Sequence, residues 1–161
     1  MKKSKKNNVG DVLLLRGSLQ VALCDAADGR VIRSQIINNT VVTAGRAWVL
    51  KQLQSVNHVT SQNISHMAIG SDTTAPVTGQ TALGLEVTRK AISSFDTTNL
   101  TANPPNWQAQ IQFATNEGNT TLAEVALLNS NAGGTMLARA TFASFVKATS
   151  NVLNISYNVT G

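Results

Sequence analysis

Cysteine is almost missing from this sequence. Cys24 is the only one, which excludes a disulfide within the chain. It stands in an apolar, strand-like pattern and reads as a small packed hydrophobe. Aromatic residues are 4% of the chain and do not interleave with basic ones. A base-stacking surface for nucleic acid is therefore not expected. Charge is also scarce, at 13% against roughly 25% in ordinary soluble domains. No apolar run approaches the ~20 residues of a membrane span. The run Val12–Leu15 is too short for the core of a secretory signal, and Arg16 ends it. The expectation is a chain made in the cytoplasm without a membrane segment.

Catalytic patterns are absent too. The two histidines, His58 and His66, have no cysteine nearby and no His-Glu-x-x-His spacing, so no metal is expected. There is no Gly-x-Ser-x-Gly nucleophile turn and no phosphate-cradling Gly-x-x-x-x-Gly-Lys loop. Asp25 and Asp28 flank a turn but lack the rest of a calcium loop. Glu86 and Glu124 sit in apolar segments, where two carboxylates can do acid–base work. Pairing with Arg89 or Arg139 is the stronger reading. The sequence predicts no cofactor and no enzyme.

What is present is a polar but uncharged vocabulary of Asn, Thr, Ser and Gln, which are residues of turns, loops and sheet surfaces. At 161 residues with 42% hydrophobic content, the chain suits one domain with a real core. The net charge of +5 comes largely from Lys2, Lys3, Lys5 and Lys6. We read residues 1–11 as a flexible basic arm and residues 12–161 as a single folded domain. The arm can reach an acidic protein surface, or serve only as a solvated tail.

Eight segments read as strands: Ser18–Cys24, Arg30–Val42, Ile64–Ile69, Val87–Phe95, Trp107–Ala114, Leu122–Leu128, Met136–Phe142 and Val152–Val159. Trp107, Ala109, Ile111 and Phe113 alternate with Gln108, Gln110 and Gln112, as in a half-buried strand. Thr43 is placed to cap a helix carrying Ala47, Trp48, Leu50 and Leu53. Residues 81–86 suit one further helical turn. Gly29 supplies a positive φ to the first hairpin. Gly70 and Gly79 are expected to permit tight turns, and Gly133 and Gly134 to close a hairpin. Leu83 and Leu85 are placed to plug an end of the domain. The predicted fold is an all-β sandwich, jelly-roll or immunoglobulin-like, of about eight strands with one short helix.

Three segments, in order, carry a resemblance. Asn39-Thr40-Val41-Val42-Thr43-Ala44-Gly45-Arg46 leads into the Trp48 helix. ISHMAIGSDTTAPVTGQTALGLEVTRKAI follows from Ile64, and LAEVALLNSNAGGTMLARATF from Leu122. This order resembles small structural proteins of tailed-phage virions, and is similar to collar and attachment domains of tail fibres. The resemblance covers residues 39–161. It implies a virion protein, synthesised in the host cytoplasm, whose partners are capsid or tail subunits. Its first reading is a capsid decoration or cement subunit, and its second a collar, tail or tail-fibre adaptor. It also implies a homo-oligomer, with a trimer among the expected states. Lys2, Lys3, Lys5 and Lys6 are the expected partner-binding arm. A reading of another class is a receptor- or carbohydrate-binding sandwich, for which Trp107 beside Pro104-Pro105 is the candidate stacking aromatic.

Overall fold

The computed structural model describes residues 15–54 and 63–161. The basic arm and His58 lie outside them. The chain runs β1 (Arg16–Asp25), β2 (Val31–Asn38), β3 (Thr40–Val41), α1 (Thr43–Gln54), β4 (His66–Gly70), β5 (Glu86–Ala91), β6 (Ser94–Asp96), β7 (Asn106–Phe113), β8 (Thr121–Leu128), β9 (Met136–Val146) and β10 (Asn151–Thr160). Two five-stranded sheets form, in the orders β2-β1-β10-β7-β6 and β3-β9-β8-β4-β5. Every pairing is antiparallel. This is the expected all-β sandwich with one short helix.

Among the described residues the count is ten strands rather than eight because two expected strands change sheet. The segment read as Arg30–Val42 breaks at Asn39, so β2 joins the first sheet and β3 the second. There the Asn39 amide donates to Gly17 O at 3.0 Å. The segment read as Val87–Phe95 breaks at Ile92-Ser93. The Ile92 amide turns to Ser65 O at 2.9 Å and the Ser93 amide to Gln110 O at 2.8 Å, one bond on each side of the sandwich.

The first sheet alternates as the sequence does. Leu153, Ile155, Tyr157 and Val159 point inward from β10, and Ala109, Ile111 and Phe113 from β7. They meet Met67, Ile69, Leu122, Val125, Leu127 and Leu137 of the second sheet. Tyr157 is fully buried, which holds its phenol well above its ordinary value; the Asn39 side chain offsets this only in part. Neither Tyr157 Oη nor Asn39 Oδ1 completes a hydrogen bond of good geometry.

The second sheet is buried on both faces. Residues 122–128 of β8 and 136–140 of β9 are all buried. Behind this sheet, Val42, Ala68, Leu83, Ala126, Leu128 and Met136 form a second cluster. Its cover is the segment 71–85 together with the start of α1. Near-continuous apolar strands such as LAEVALL are what a doubly covered sheet demands. Leu83 therefore caps a sheet face and not an end of the sandwich, and Leu85 is 62% exposed. Residues 81–86 form no helical turn; the amides of Gly84 and Leu85 are drawn to Glu124 instead.

Helix α1 departs from the expected register. Val42 O accepts the first helical bond, from the Arg46 amide at 3.0 Å. Thr43 is thus inside the helix and does not cap it. Its start is fixed by Val42, which is completely buried. Leu50 is exposed, while Trp48 and Val49 pack on the main core and Ala44 on the cluster behind the second sheet; the side chain of Leu53 lies outside those described. Gly45 sets this orientation: a Cβ there would collide with Leu137 O and lie 2.7 Å from Leu137 Cα.

Of the expected turn glycines, Gly29, Gly133 and Gly134 have φ of 73°, 60° and 78°, a conformation costly for other residues. Gly70 and Gly79 do not adopt it. Gly79 has open space around its Cβ position, so nothing there requires glycine. Gly70 is required for closeness, since a Cβ would strike Glu124 Oε1 and lie 2.5 Å from Leu85 O.

Gly45→Ala is expected to lower unfolding stability by about 1–3 kcal/mol through overpacking against the β9 backbone, although alanine is the better helix former. Urea unfolding of the two proteins measures this.

Candidate functional site

Among the described residues, a buried cluster of charges sits where the segment 71–85 crosses the second sheet. Glu124 on β8 and Arg139 on β9 are both fully buried and face the same side of the sheet. Arg139 Nε donates to Glu124 Oε2 at 2.7 Å. One terminal nitrogen donates to Asp72 Oδ2 at 3.0 Å. The other donates to Thr74 O and Gln80 Oε1, both at 3.0 Å. Glu124 also accepts the amides of Leu85 at 2.8 Å, Gly84 at 3.1 Å and Asp72 at 3.3 Å. A buried ion pair is tolerable only when its remaining lone pairs and protons are satisfied, and here almost all are.

Asp72 is held below its ordinary value of 3.8, first by the Thr74 amide, then by the Thr74 hydroxyl, with Arg139 contributing less. Gly84 is the neighbour that permits this approach: a Cβ there would overlap the Asp72 carboxylate.

The other acids among the described residues are likewise engaged. Glu86 pairs with Arg89 at 2.6 Å, as the sequence suggested, and Arg89 also donates to Ser130 O and Gly133 O at 3.0 Å. Glu117 pairs with Lys90 at 2.8 Å, which with the Ala114 amide lowers its pKa. Asp25, Asp28 and Asp96 accept backbone amides two residues on, the local turn bond these residues favour. Lys147 is buried and donates to Ala114 O at 2.6 Å and Asn119 Oδ1 at 2.9 Å; burial lowers its pKa. His66 Nδ1 lies 2.7 Å from Ser65 Oγ, and burial and Arg89 lower its pKa. Glu86 and Glu124 are taken up instead by Arg89 and Arg139. No three metal-ligating side chains cluster among the described residues, and no described helix is long and apolar enough to cross a membrane.

The outward face of the first sheet is the opposite case. On β7 it carries Gln108, Gln110 and Gln112, on β10 Asn154, Ser156 and Asn158, and on β1 Ser18, Gln20 and Ala22. From Ser18 to Ala22 across to β7 it holds no ionisable side chain. Its amides bond to each other: Gln112 Nε2 to Asn154 Oδ1 at 2.9 Å, Gln110 Nε2 to Gln108 Oε1 at 2.6 Å, and Gln20 Nε2 to Ser34 Oγ at 3.2 Å. Beside it runs the edge strand β2, with Val31, Ile32 and Ile36 exposed, Ile36 by 79%. This neutral face with an apolar margin is the candidate functional surface.

Trp107, the candidate stacking residue, is half-buried and packs on Phe95, with ring centroids 5.9 Å apart and tilted by 53°. Both line an apolar hollow of about 470 Å³ with Trp48, Ile64 and Val159. Its faces are thus partly taken up by the protein's own side chains. Sequence reasoning paired Glu124 with an arginine but missed Asp72, Gln80 and Gly84. The available signal was the doubly apolar β8 and β9, whose lone Glu and Arg had to meet something above the sheet.

Comparisons with protein-family models, curated proteins and solved structures find no match to this chain.

Two results are expected from the buried cluster. Arg139→Met leaves Glu124 charged and unpaired, and should cost about 3–5 kcal/mol in urea unfolding; adding Glu124→Gln should return part of that loss. Asp72 has a folded pKa below its unfolded one, so its contribution is full above about pH 3.8 and is lost as pH falls through the folded value. Asp72→Asn should therefore be less stable than the native protein at neutral pH, and the two acid-unfolding curves should converge at the lowest pH.

Proposed function

We propose that this chain is a non-catalytic assembly subunit of a tailed-phage particle, decorating or cementing the capsid exterior. The observation that carries the reading is the division of charge. Every acidic side chain among the described residues is engaged in a turn, an ion pair or the buried cluster. The outward face of the first sheet from Ser18 to Ala22 across to β7 is left without ionisable groups, with Arg16 and Asp96 at its borders. Few charges on an open face lower the desolvation cost of covering it with another protein. The order of segments over residues 39–161 supports the virion setting. The lysine-rich arm supplies a tether of the sign that suits an acidic particle surface.

The test is binding to purified particles. Full-length protein, a variant lacking residues 1–8, and a Gln110→Glu/Asn154→Asp variant are each mixed with particles stripped of accessory subunits, and co-sedimented. The full-length chain is expected to saturate a fixed number of sites on the head. The charged-face variant should fall in occupancy by about tenfold or more, and the truncated chain should bind more weakly while melting at the same temperature. Saturation of tails in place of heads would move the subunit to the collar or tail. Absence from both would sink the proposal.

A further inference from the structure

Among the described residues the sandwich has four sheet edges, and three are closed. β3 is two residues long and β6 three. β5 carries the Glu86–Arg89 and Lys90–Glu117 ion pairs. Short or charged strands are what blunt an edge against further pairing. β2 is different. It is eight residues long, VIRSQIIN, with no proline or lysine. Its one irregularity lies at the end opposite Leu23/Cys24, and the pairing from Arg33 to Asn38 is regular.

The directions of its free backbone groups follow from the register. The Asn39 amide bonds to Gly17 O. In an antiparallel ladder the bonded pairs alternate, so Ile37, Gln35 and Arg33 bond to β1. The amides and carbonyls of Ser34 and Ile36 then point away from the sheet. Side chains alternate as well. Gln35 and Arg33 turn inward, where Gln35 exchanges two bonds with Ala143 at 2.8 and 2.9 Å and Arg33 donates to Ser144 O at 3.2 Å. Ile36 turns outward and is exposed.

We propose that β2 pairs with β2 of a second copy of this chain, antiparallel about a two-fold axis at Ser34, joining the two first sheets into one. The strand is complementary to itself in this register. Ile36 faces Ile32 of the second copy, Val31 faces Ile37, and Arg33 faces Gln35. Moving the axis to Arg33 would set two arginines opposite each other. Moving it to Gln35 would set Ile36 against Ser34. The register at Ser34 covers all three exposed apolar residues of the strand and opposes no like charges. The pairing is two-fold, unlike the trimer the resemblance implies, and it does not depend on the particle role.

Sedimentation equilibrium of the full chain at about 100 µM tests this, a concentration suited to a strand-edge contact of modest affinity. The expected species has twice the 17.0 kDa mass. Ile36→Lys should weaken dimerisation by about tenfold or more, and at a dilution where both proteins are monomeric its melting temperature should stay unchanged, because that side chain is exposed in the single chain. Under mild oxidation Ser34→Cys should form a linked dimer, since bonded residues on opposite strands bring Cα atoms to ~5.5 Å. Ile36→Cys should not self-link, and neither should native Cys24, which is buried. A monomer at this concentration, a dimer indifferent to Ile36→Lys, or linkage at Ile36→Cys in place of Ser34→Cys would each overturn the proposal.

Discussion

The structure depends on one buried arginine. Arg139 is fully enclosed, and it connects a sheet to the segment that covers it. Its guanidinium presents donors in a planar fork, and four of them are met by Glu124, Asp72, Thr74 and Gln80. Glu124 repeats the arrangement in the acceptor sense, taking three amides from the covering segment. The segment has no regular secondary structure of its own, so its backbone groups need partners if they are to be buried. The ion pair supplies them. The apolar contacts of Leu83, Ala126 and Met136 supply burial, and the charged pair, with the Thr43 amide donating to Thr78 O at 2.7 Å, fixes where the segment lies.

The same arrangement bears on function. Among the described residues, the acids and their partners Arg89, Lys90 and Arg139 stand at points where the fold needs directional bonds. From Ser18 to Ala22, the face built from β1, β10 and β7 is left to uncharged side chains, most of them amides and hydroxyls. Such a face can be covered by another protein without stranding a charge. Catalysis makes the opposite demand: ionisable groups that are partly free and converge on a cavity. The functional reading follows from where charge is placed more than from any single residue.

Much of the fold was legible in the sequence. The inward set on β7 and β10 reads directly from strict alternation, and the first hairpin from Asp25, Asp28 and Gly29. Pairing of Glu86 with Arg89 and of Glu124 with Arg139 was visible as charge in apolar surroundings. The two strand breaks were not, because Asn39 and Ile92-Ser93 lie inside runs whose local propensity is uniformly β; the break is set by which sheet each half meets. The register of α1 was also hidden. Its apolar residues do not form one clean stripe, and the close contact of Gly45 with Leu137 is a tertiary fact. Gly70 and Gly84 looked like turn residues or like nothing in particular, yet a carboxylate oxygen sits where the Cβ of either would go.

The two strand breaks tie the layers covalently at opposite margins. β2 continues into β3, and β5 into β6, so each margin has one chain serving both sheets. Two layers held by side-chain contacts alone can slide past each other under a lateral pull. Here sliding would have to stretch the backbone at Asn39 and at Ile92-Ser93 together. A sandwich laced in this way transmits shear through covalent bonds, so its two layers yield to a lateral force together.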